Sequence, residues 1–106
     1  MPLLLAFRPE HMNPRFEWSP RKAAANQAKH GVSFEEALTV FSDRLARIFD
    51  DEAHSDDETR EIVVGHSTKR RLLLVCFTER QDCIRIFSAR KATKRERQDY
   101  EENIEP

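Results

Sequence analysis

Polar and apolar positions in the first half of the chain predict one short strand followed by two helices. Arg15 to Trp18 alternates polar and apolar residues, as a short edge strand does. Ser19-Pro20 supplies an N-cap and a first helical residue, which predicts a helix over 20–30 that Gly31 closes in the left-handed conformation. Ser33 to Glu36 forms a capping box that opens a second helix. Its apolar side chains recur at helical spacing on one face, at Phe34, Ala37, Leu38 and Phe41.

The second half of the chain predicts four strands and a last helix. The strand patterns cover 46–49, 60–65, 72–78 and 83–89. Thr93 to Glu96 is another capping box, and the helix that it opens has few apolar residues besides Tyr100 and Ile104. Short polar links between the last three strands make them antiparallel. The sequence therefore predicts an α+β fold: a short N-terminal strand, two helices, an antiparallel sheet of about four strands with helices on one face, and a C-terminal helix.

A chain of 106 residues is long enough for one domain and no more. Residues 1–14 carry three of the five prolines and lack the basic start of a signal peptide. We expect them to form a loosely held arm before a single domain over 15–106, with Met12 as a candidate alternative start. No apolar run approaches the roughly 20 residues that span a bilayer. Cys76 and Cys83 lie inside apolar strand patterns, which predicts buried thiols in a reducing, cytoplasmic compartment rather than a disulfide or zinc site.

The formal net charge of -1 hides two oppositely charged segments. Residues 50–61 hold seven acids and one base, which gives -6, whereas residues 69–95 hold nine bases and two acids, which gives +7. A basic surface attracts phosphates whatever the total charge of the chain. The acidic stretch 50–58 lacks the glycine and the alternating ligands of a calcium loop, so we expect it to be solvated or to contact a basic partner. The sequence contains no nucleotide-binding glycine loop and no nucleophile elbow, which excludes kinase, dehydrogenase and hydrolase classes built on them.

The hairpin of the last two strands places an arginine in the middle of a partly apolar face. If Glu79 pairs with Asp82, Cys76 lies opposite Arg85. The face predicted to pack against helices then carries Leu73, Val75, Phe77, Ile84, Ile86 and Ser88. The opposite face carries Leu72, Leu74, Cys76, Arg85 and Phe87. A guanidinium there needs a partner or a ligand, and two interpretations stay open: an Arg85–Glu61 ion pair, or a phosphate site.

The first helix carries a second candidate surface. Lys22, Asn26 and Lys29 recur on one stripe, and His30 follows Asn26 by four residues. A histidine at a helix end commonly interacts with the helix dipole, and the same imidazole can act as an acid or base near neutral pH. His66, in a predicted turn, is a weaker candidate for the same role.

Several blocks of the sequence resemble one family. Residues 16–20 read Phe-Glu-Trp-Ser-Pro, and residues 29–34 read Lys-His-Gly-Val-Ser-Phe. Further along stand Arg60-Glu61, the strand 72–75 and the block Ser-Ala-Arg-Lys-Ala over 88–92. Together these blocks resemble the BrnT family of bacterial toxins from about residue 16 to residue 102. Phe87 stands where an aliphatic residue is more usual in that family.

The resemblance implies a RelE-like fold and a role as the ribonuclease toxin of a type II toxin–antitoxin pair. It also implies a BrnA-like antitoxin with a ribbon-helix-helix domain, an RNA substrate, and contact with operator DNA only through the toxin–antitoxin complex. No membrane partner and no cofactor follow from it.

Cleavage of RNA through its 2′-hydroxyl needs a base, an acid and cations for the developing phosphorane charge, and it needs no metal. Arg60, Arg85 and Arg90 could supply the cations because a guanidinium matches a phosphate bidentately. His30 or Glu61 could be the base. The residues expected to bind RNA are Lys22, Asn26, Lys29, Lys91 and Tyr100. Tyr100 has a structural alternative, as the anchor of the last helix.

Two functional classes therefore remain open on the sequence: an endoribonuclease, and a non-catalytic module that only binds a partner or nucleic acid. The last helix adds a further expectation. Because this helix has caps but almost no apolar face, we expect it to be mobile in the free protein and to become better ordered, or to be displaced, when an antitoxin binds.

Overall fold

The computed structural model describes residues 15–51 and 59–103. The predicted N-terminal arm, most of the acidic stretch and Ile104 lie outside the described residues. No helix of the described part is long and apolar enough to cross a membrane.

Capping residues set the helices where the sequence predicts them. Helix α1 spans Pro20–His30: the Ser19 hydroxyl accepts from the Lys22 amide, and Gly31 (φ 68°) ends the helix. Helix α2 spans Phe34–Leu38 and continues as a 3₁₀ turn over Thr39–Ser42. Helix α3 spans Lys94–Glu102 and begins with a complete capping box.

The sheet of the described residues has five strands. They are β1 (Arg15–Glu17), β2 (Arg47–Asp50), β3 (Glu61–His66), β4 (Leu72–Arg80) and β5 (Cys83–Lys91). Their order across the sheet is β1-β5-β4-β3-β2. The four later strands are antiparallel, as predicted, and the N-terminal strand joins them as a parallel fifth strand beside β5. The α+β prediction is confirmed.

One face of the sheet holds the main core. Ring contacts tie β1, the 3₁₀ turn and β4 together, with ring centroids 5.3 Å apart for Phe16–Phe41 and 4.9 Å for Phe41–Phe77. The predicted stripe of the second helix is confirmed: Phe34, Ala37 and Phe41 are buried there, and Leu38 packs against them.

The predicted register of the β4–β5 hairpin is wrong. The two-residue turn falls one residue later, at Gln81 and Asp82, so Arg85 pairs with Thr78. A β-bulge at Phe87 then adds one residue to β5, and Cys76 lies opposite Ser88 instead of Arg85. Shifting the turn by one residue moves each pairing by two, so the faces are kept up to the bulge. Beyond it, Ala89 takes the core position predicted for Ser88.

The second face of the sheet is partly covered by α3, so the prediction that the helices cover one face is wrong. Tyr100 is buried there against Val64 and Leu72, and its hydroxyl donates to the Leu45 carbonyl at 3.1 Å. Burial, aided by nearby Asp43, raises the Tyr100 pKa to about 12, so the phenol stays protonated. Tyr100 is therefore the anchor of the last helix.

A buried carboxylate joins α2 to the link between β3 and β4. Glu36 does not close its predicted capping box; its carboxylate accepts from the Ser67 hydroxyl at 2.7 Å and from the Arg71 guanidinium. Arg71 also donates to the Gly31 carbonyl at 3.1 Å. Hydrogen bonding from Arg71 lowers the pKa of Glu36, which keeps this carboxylate ionised.

Gly65→Ala is expected to destabilise the fold by about 2 kcal/mol, near 10 °C in Tm. A Cβ at Gly65 would lie 2.9 Å from an Asp43 carboxylate oxygen, 3.0 Å from the Ala46 Cβ and 3.1 Å from a Val40 methyl. Thermal unfolding measures the loss. Gly31→Ala meets no atom within 4 Å and costs only the strain of a positive φ. A Tm within 2 °C of the parent for Gly65→Ala would show that residues 40–46 move aside freely.

Candidate active site

The part of the second face that α3 leaves uncovered forms a groove of about 500 Å³. Its floor comes from β3, β4 and β5, and α1 forms one side. The other side is formed by Asp51, near the start of the acidic stretch, and by Arg60, just after it. We call it the basic groove. Its lining consists of Lys22, Lys29, His30, Asp51, Arg60, Ile62, Leu74, Cys76, Phe87, Ser88, Ala89 and Arg90.

Phe87 lies on the floor of the basic groove at the β-bulge, on the face that strand alternation predicts for it. Bulges re-aim side chains and are frequent beside active sites. Two cations lie against its ring: the Arg60 guanidinium carbon is 4.1 Å from the ring centroid, and the Lys22 ammonium nitrogen is 5.2 Å from it. Both distances are within the range of cation–π attraction.

Arg90 enters the basic groove from β5 and is fixed by α3. Its two terminal nitrogens donate to the two Glu96 oxygens, each at 2.8 Å. Glu96 also accepts from the Thr93 amide at 2.9 Å, so the capping box and the ion pair share one carboxylate. The bidentate pair with Arg90, with a smaller contribution from Thr93, lowers the Glu96 pKa to about 2.

Acid is expected to weaken the attachment of α3 through Glu96. Because its folded pKa of about 2 lies below the ordinary 4.5, the Glu96 contribution is complete above pH 4.5 and is lost as the pH falls toward 2. Both side chains are over one third exposed, so screening limits the contribution to about 1 kcal/mol. Denaturant unfolding between pH 5 and 2 measures it. Glu96→Gln should remove this part of the pH dependence; an identical pH profile would show that Glu96 adds nothing.

Two residues of the basic groove, Asp51 and Cys76, were not among the predicted site residues. Asp51 is buried (9 % exposed), and its carboxylate oxygen lies 3.4 Å from the Cys76 sulfur. Burial and the contact with Asp51 raise the Cys76 pKa to about 11, so the thiol is protonated at neutral pH. The acidic stretch therefore supplies one carboxylate to the basic groove. The sequence feature that comes nearest to indicating Asp51 is the pair of strands on either side of the acidic stretch. Their pairing brings the Asp51 amide nitrogen to 2.8 Å from the Arg60 carbonyl oxygen.

Asn26, predicted to bind RNA, has its side-chain amide occupied by the backbone. Its nitrogen donates to the carbonyls of Val32 and Ala89 at 2.9 and 2.8 Å, and its oxygen accepts from the Ala89 amide at 3.0 Å. With 7 % of its surface exposed, Asn26 clamps α1 to β5. It thereby holds Lys22, Lys29 and His30 beside the groove floor.

Two predicted catalytic residues lie outside the basic groove. Arg85 is on the same face of β5, but it pairs with Glu17 on β1 at 2.9 Å rather than with Glu61. Glu61 alternates with the groove residue Ile62 along β3 and so lies on the opposite face. Burial, together with Asp50 and Glu79, raises the pKa of Glu61.

Two residues predicted to bind RNA also lie elsewhere. Lys91 follows Arg90 along β5, is exposed and is not part of the groove lining. Tyr100 is buried under α3. His66 stacks edge-on against Tyr100 with ring centroids 5.7 Å apart, and it too lies outside the groove.

The basic groove thus joins cations, one imidazole and one carboxylate over an apolar floor. Lys22, Arg60 and Arg90 come from three separate elements, and His30 and Asp51 approach from the two sides. Such a site can hold a phosphate and transfer protons beside it. Across 15–51 and 59–103, no cluster of three or more His, Cys, Asp or Glu side chains could hold a metal ion.

The sequence corresponds to one class of protein, the ribonuclease toxins of type II toxin–antitoxin systems. A family model described as the ribonuclease toxin BrnT of a type II toxin–antitoxin system matches residues 18–96. Because this match covers most of the 106 residues, the chain belongs to the BrnT family, which confirms the resemblance.

A solved structure has the same fold. The crystal structure of the Brucella abortus ribonuclease toxin BrnT superposes with a TM-score of 0.61 at 22% sequence identity. The match covers 77% of this chain and all of that one. No curated protein matches the chain.

Proposed function

We propose that this toxin cleaves RNA in the basic groove by attack of the ribose 2′-hydroxyl, without a metal ion. The observation that carries the proposal is the convergence of Lys22, Arg60 and Arg90 around a floor flanked by His30 and Asp51. Three cations from separate elements can neutralise the charge that a divalent metal would otherwise neutralise at the phosphate.

Each group has a role that its chemistry suits. Arg60 binds the scissile phosphate and stabilises the phosphorane, because a guanidinium can donate to two oxygens. Arg90, whose terminal nitrogens are paired with Glu96, adds its positive charge beside the phosphate. Lys22 and Lys29 bind neighbouring phosphates as point charges. His30 and Asp51 form the acid–base pair: one takes the 2′-hydroxyl proton and the other protonates the departing 5′-oxygen. Glu61 and Arg85 have no assigned part in this scheme.

The neutralising partner in this proposal is a ribbon-helix-helix antitoxin. A type II system supplies a protein antitoxin. Its DNA-binding domain then carries the pair to operator DNA in the cytoplasm, and the toxin meets DNA only through that complex.

The test is incubation of the purified toxin with single-stranded RNA in excess EDTA. We expect cleavage at an unchanged rate, with products that end in 2′,3′-cyclic phosphate, because that ending requires the neighbouring hydroxyl as nucleophile. A 2′-deoxy substitution at the cleaved nucleotide should abolish scission there. Loss of cleavage in EDTA with recovery on adding Mg²⁺ would contradict metal independence, and RNA that is bound but stays intact would favour the non-catalytic module.

A further inference from the structure

Phe87 stands out in the basic groove because it cannot take part in acid–base chemistry, yet two cations lie against it. The ring lies at the bulge in the β4–β5 ladder, on the floor of the groove. Arg60 directly precedes β3 and Lys22 lies in the first turn of α1, on the two sides of that floor. Side chains from these two segments, which are far apart in the sequence, therefore both contact the Phe87 ring.

Long cationic side chains lose rotamer freedom when they bind a ligand. That loss costs about 0.5–1.5 kcal/mol for each immobilised side chain, and contacts that restrict the side chain beforehand reduce it. A ring face attracts a cation without donating or accepting a hydrogen bond. The cation–π contact with the ring therefore restricts the position of the guanidinium and the ammonium without itself using any of their N–H donors.

We propose that Phe87 is a positioning residue, which pre-orders Arg60 and Lys22 on a single ring so that both reach the RNA backbone at low entropic cost. This rests on the proposed function of the basic groove and adds to it the reason why two cations from opposite sides act on one stretch of RNA. Phe87 itself acts through these side chains and not on the reacting atoms.

The variant that tests it is Phe87→Leu, which keeps an apolar side chain on the floor and removes the ring face. The matched control is Phe49→Leu, the same change at an exposed phenylalanine of β2 outside the basic groove. Phe87→Tyr restores a ring face. Each protein is assayed for RNA affinity over a range of salt, for KM and kcat, and for thermal stability.

We expect Phe87→Leu to raise Kd and KM roughly ten-fold, the equivalent of about 1.4 kcal/mol, with a smaller change in kcat. Phe87→Tyr should recover most of the affinity, and Phe49→Leu should not change it. The signature of an indirect role is a double-mutant cycle: in a background that carries Arg60→Ala and Lys22→Ala, Phe87→Leu should have no further effect on Kd.

A second readout needs no RNA. In the free protein, ring currents should shift the NMR signals of the Arg60 and Lys22 side chains upfield, and Phe87→Leu should cancel both shifts. Unshifted signals in the parent protein would overturn the proposal. A full loss of affinity that persists in the Arg60→Ala, Lys22→Ala background would overturn it in favour of direct stacking of a base on Phe87.

The outcomes also separate this proposal from the function on which it rests. A parent protein that cleaves RNA while Phe87→Leu cleaves with an unchanged KM overturns the positioning role alone. A parent protein that neither binds nor cleaves RNA overturns the proposed function, and the positioning role with it.

Discussion

Arg60→Ala is expected to lower kcat for RNA cleavage by about 10²–10³-fold while the protein stays folded. Removing one preorganised charge from a transition state costs about that much. Arg60 lies at one side of the groove floor, against Phe87, and is not among the residues of the main core. The loss should therefore appear in kcat, with a smaller rise in KM, because a phosphorane carries more charge than a ground-state phosphate.

Alanine variants of two other arginines serve as controls for the cleavage rate of Arg60→Ala. Arg44→Ala, at an exposed position outside the basic groove, should leave cleavage unchanged. Arg85→Ala removes a cation that pairs with Glu17 at the β1 edge, and its effect on kcat should be much smaller than that of Arg60→Ala. Single-turnover cleavage of a labelled oligonucleotide gives all three rates. A larger loss for Arg85→Ala than for Arg60→Ala would move the site toward the β1 edge.

Asn26→Leu is expected to destabilise the protein by about 3 kcal/mol, which is more than 10 °C in Tm for a domain of this size. Leucine has a similar size but cannot replace the three hydrogen bonds that the amide makes to Val32 and Ala89. The buried backbone groups of these two residues would lose their partners, at about 1–3 kcal/mol for each unsatisfied group.

Lys29→Ala is the control for that variant, because Lys29 lies one turn further along α1, is exposed and lines the basic groove. It should leave Tm unchanged and weaken RNA binding, with a shallower dependence on salt. Thermal unfolding and RNA titration of both variants separate the two roles. If Asn26→Leu unfolds at the parent temperature and binds RNA poorly, Asn26 is a ligand of RNA and the clamp is unimportant.

The helices and strands could be predicted from the sequence because their signals are local. Ser19, Gly31 and Ser33 act within one turn of the helix that they begin or end, and capping depends on neighbouring residues alone. The core face of β4 could likewise be predicted, because a register shift of two residues leaves each side chain on the same face of the sheet.

The site was harder to predict because its members meet through long-range pairing. The bulge at Phe87 has no signal of its own in the sequence, and it decides that Ala89 rather than Ser88 enters the core. Asn26 and Lys29 share one polar stripe of α1, and periodicity alone cannot tell the residue that is clamped from the residue that is exposed. Arg85 and Arg90 look equivalent on one strand until Glu17 and Glu96 are placed beside them.

The parallel pairing of β1 with β5 joins the first strand of the described residues to the last, with Glu17 bonded to Arg85 across 68 positions. Pairing at that separation makes folding slow compared with a helical protein of the same length. In addition, Arg90 is the last cation of the groove along the chain, so the ribosome must reach residue 90 before the groove can be complete. A message broken before the codon for Arg90 therefore yields a fragment without the complete groove.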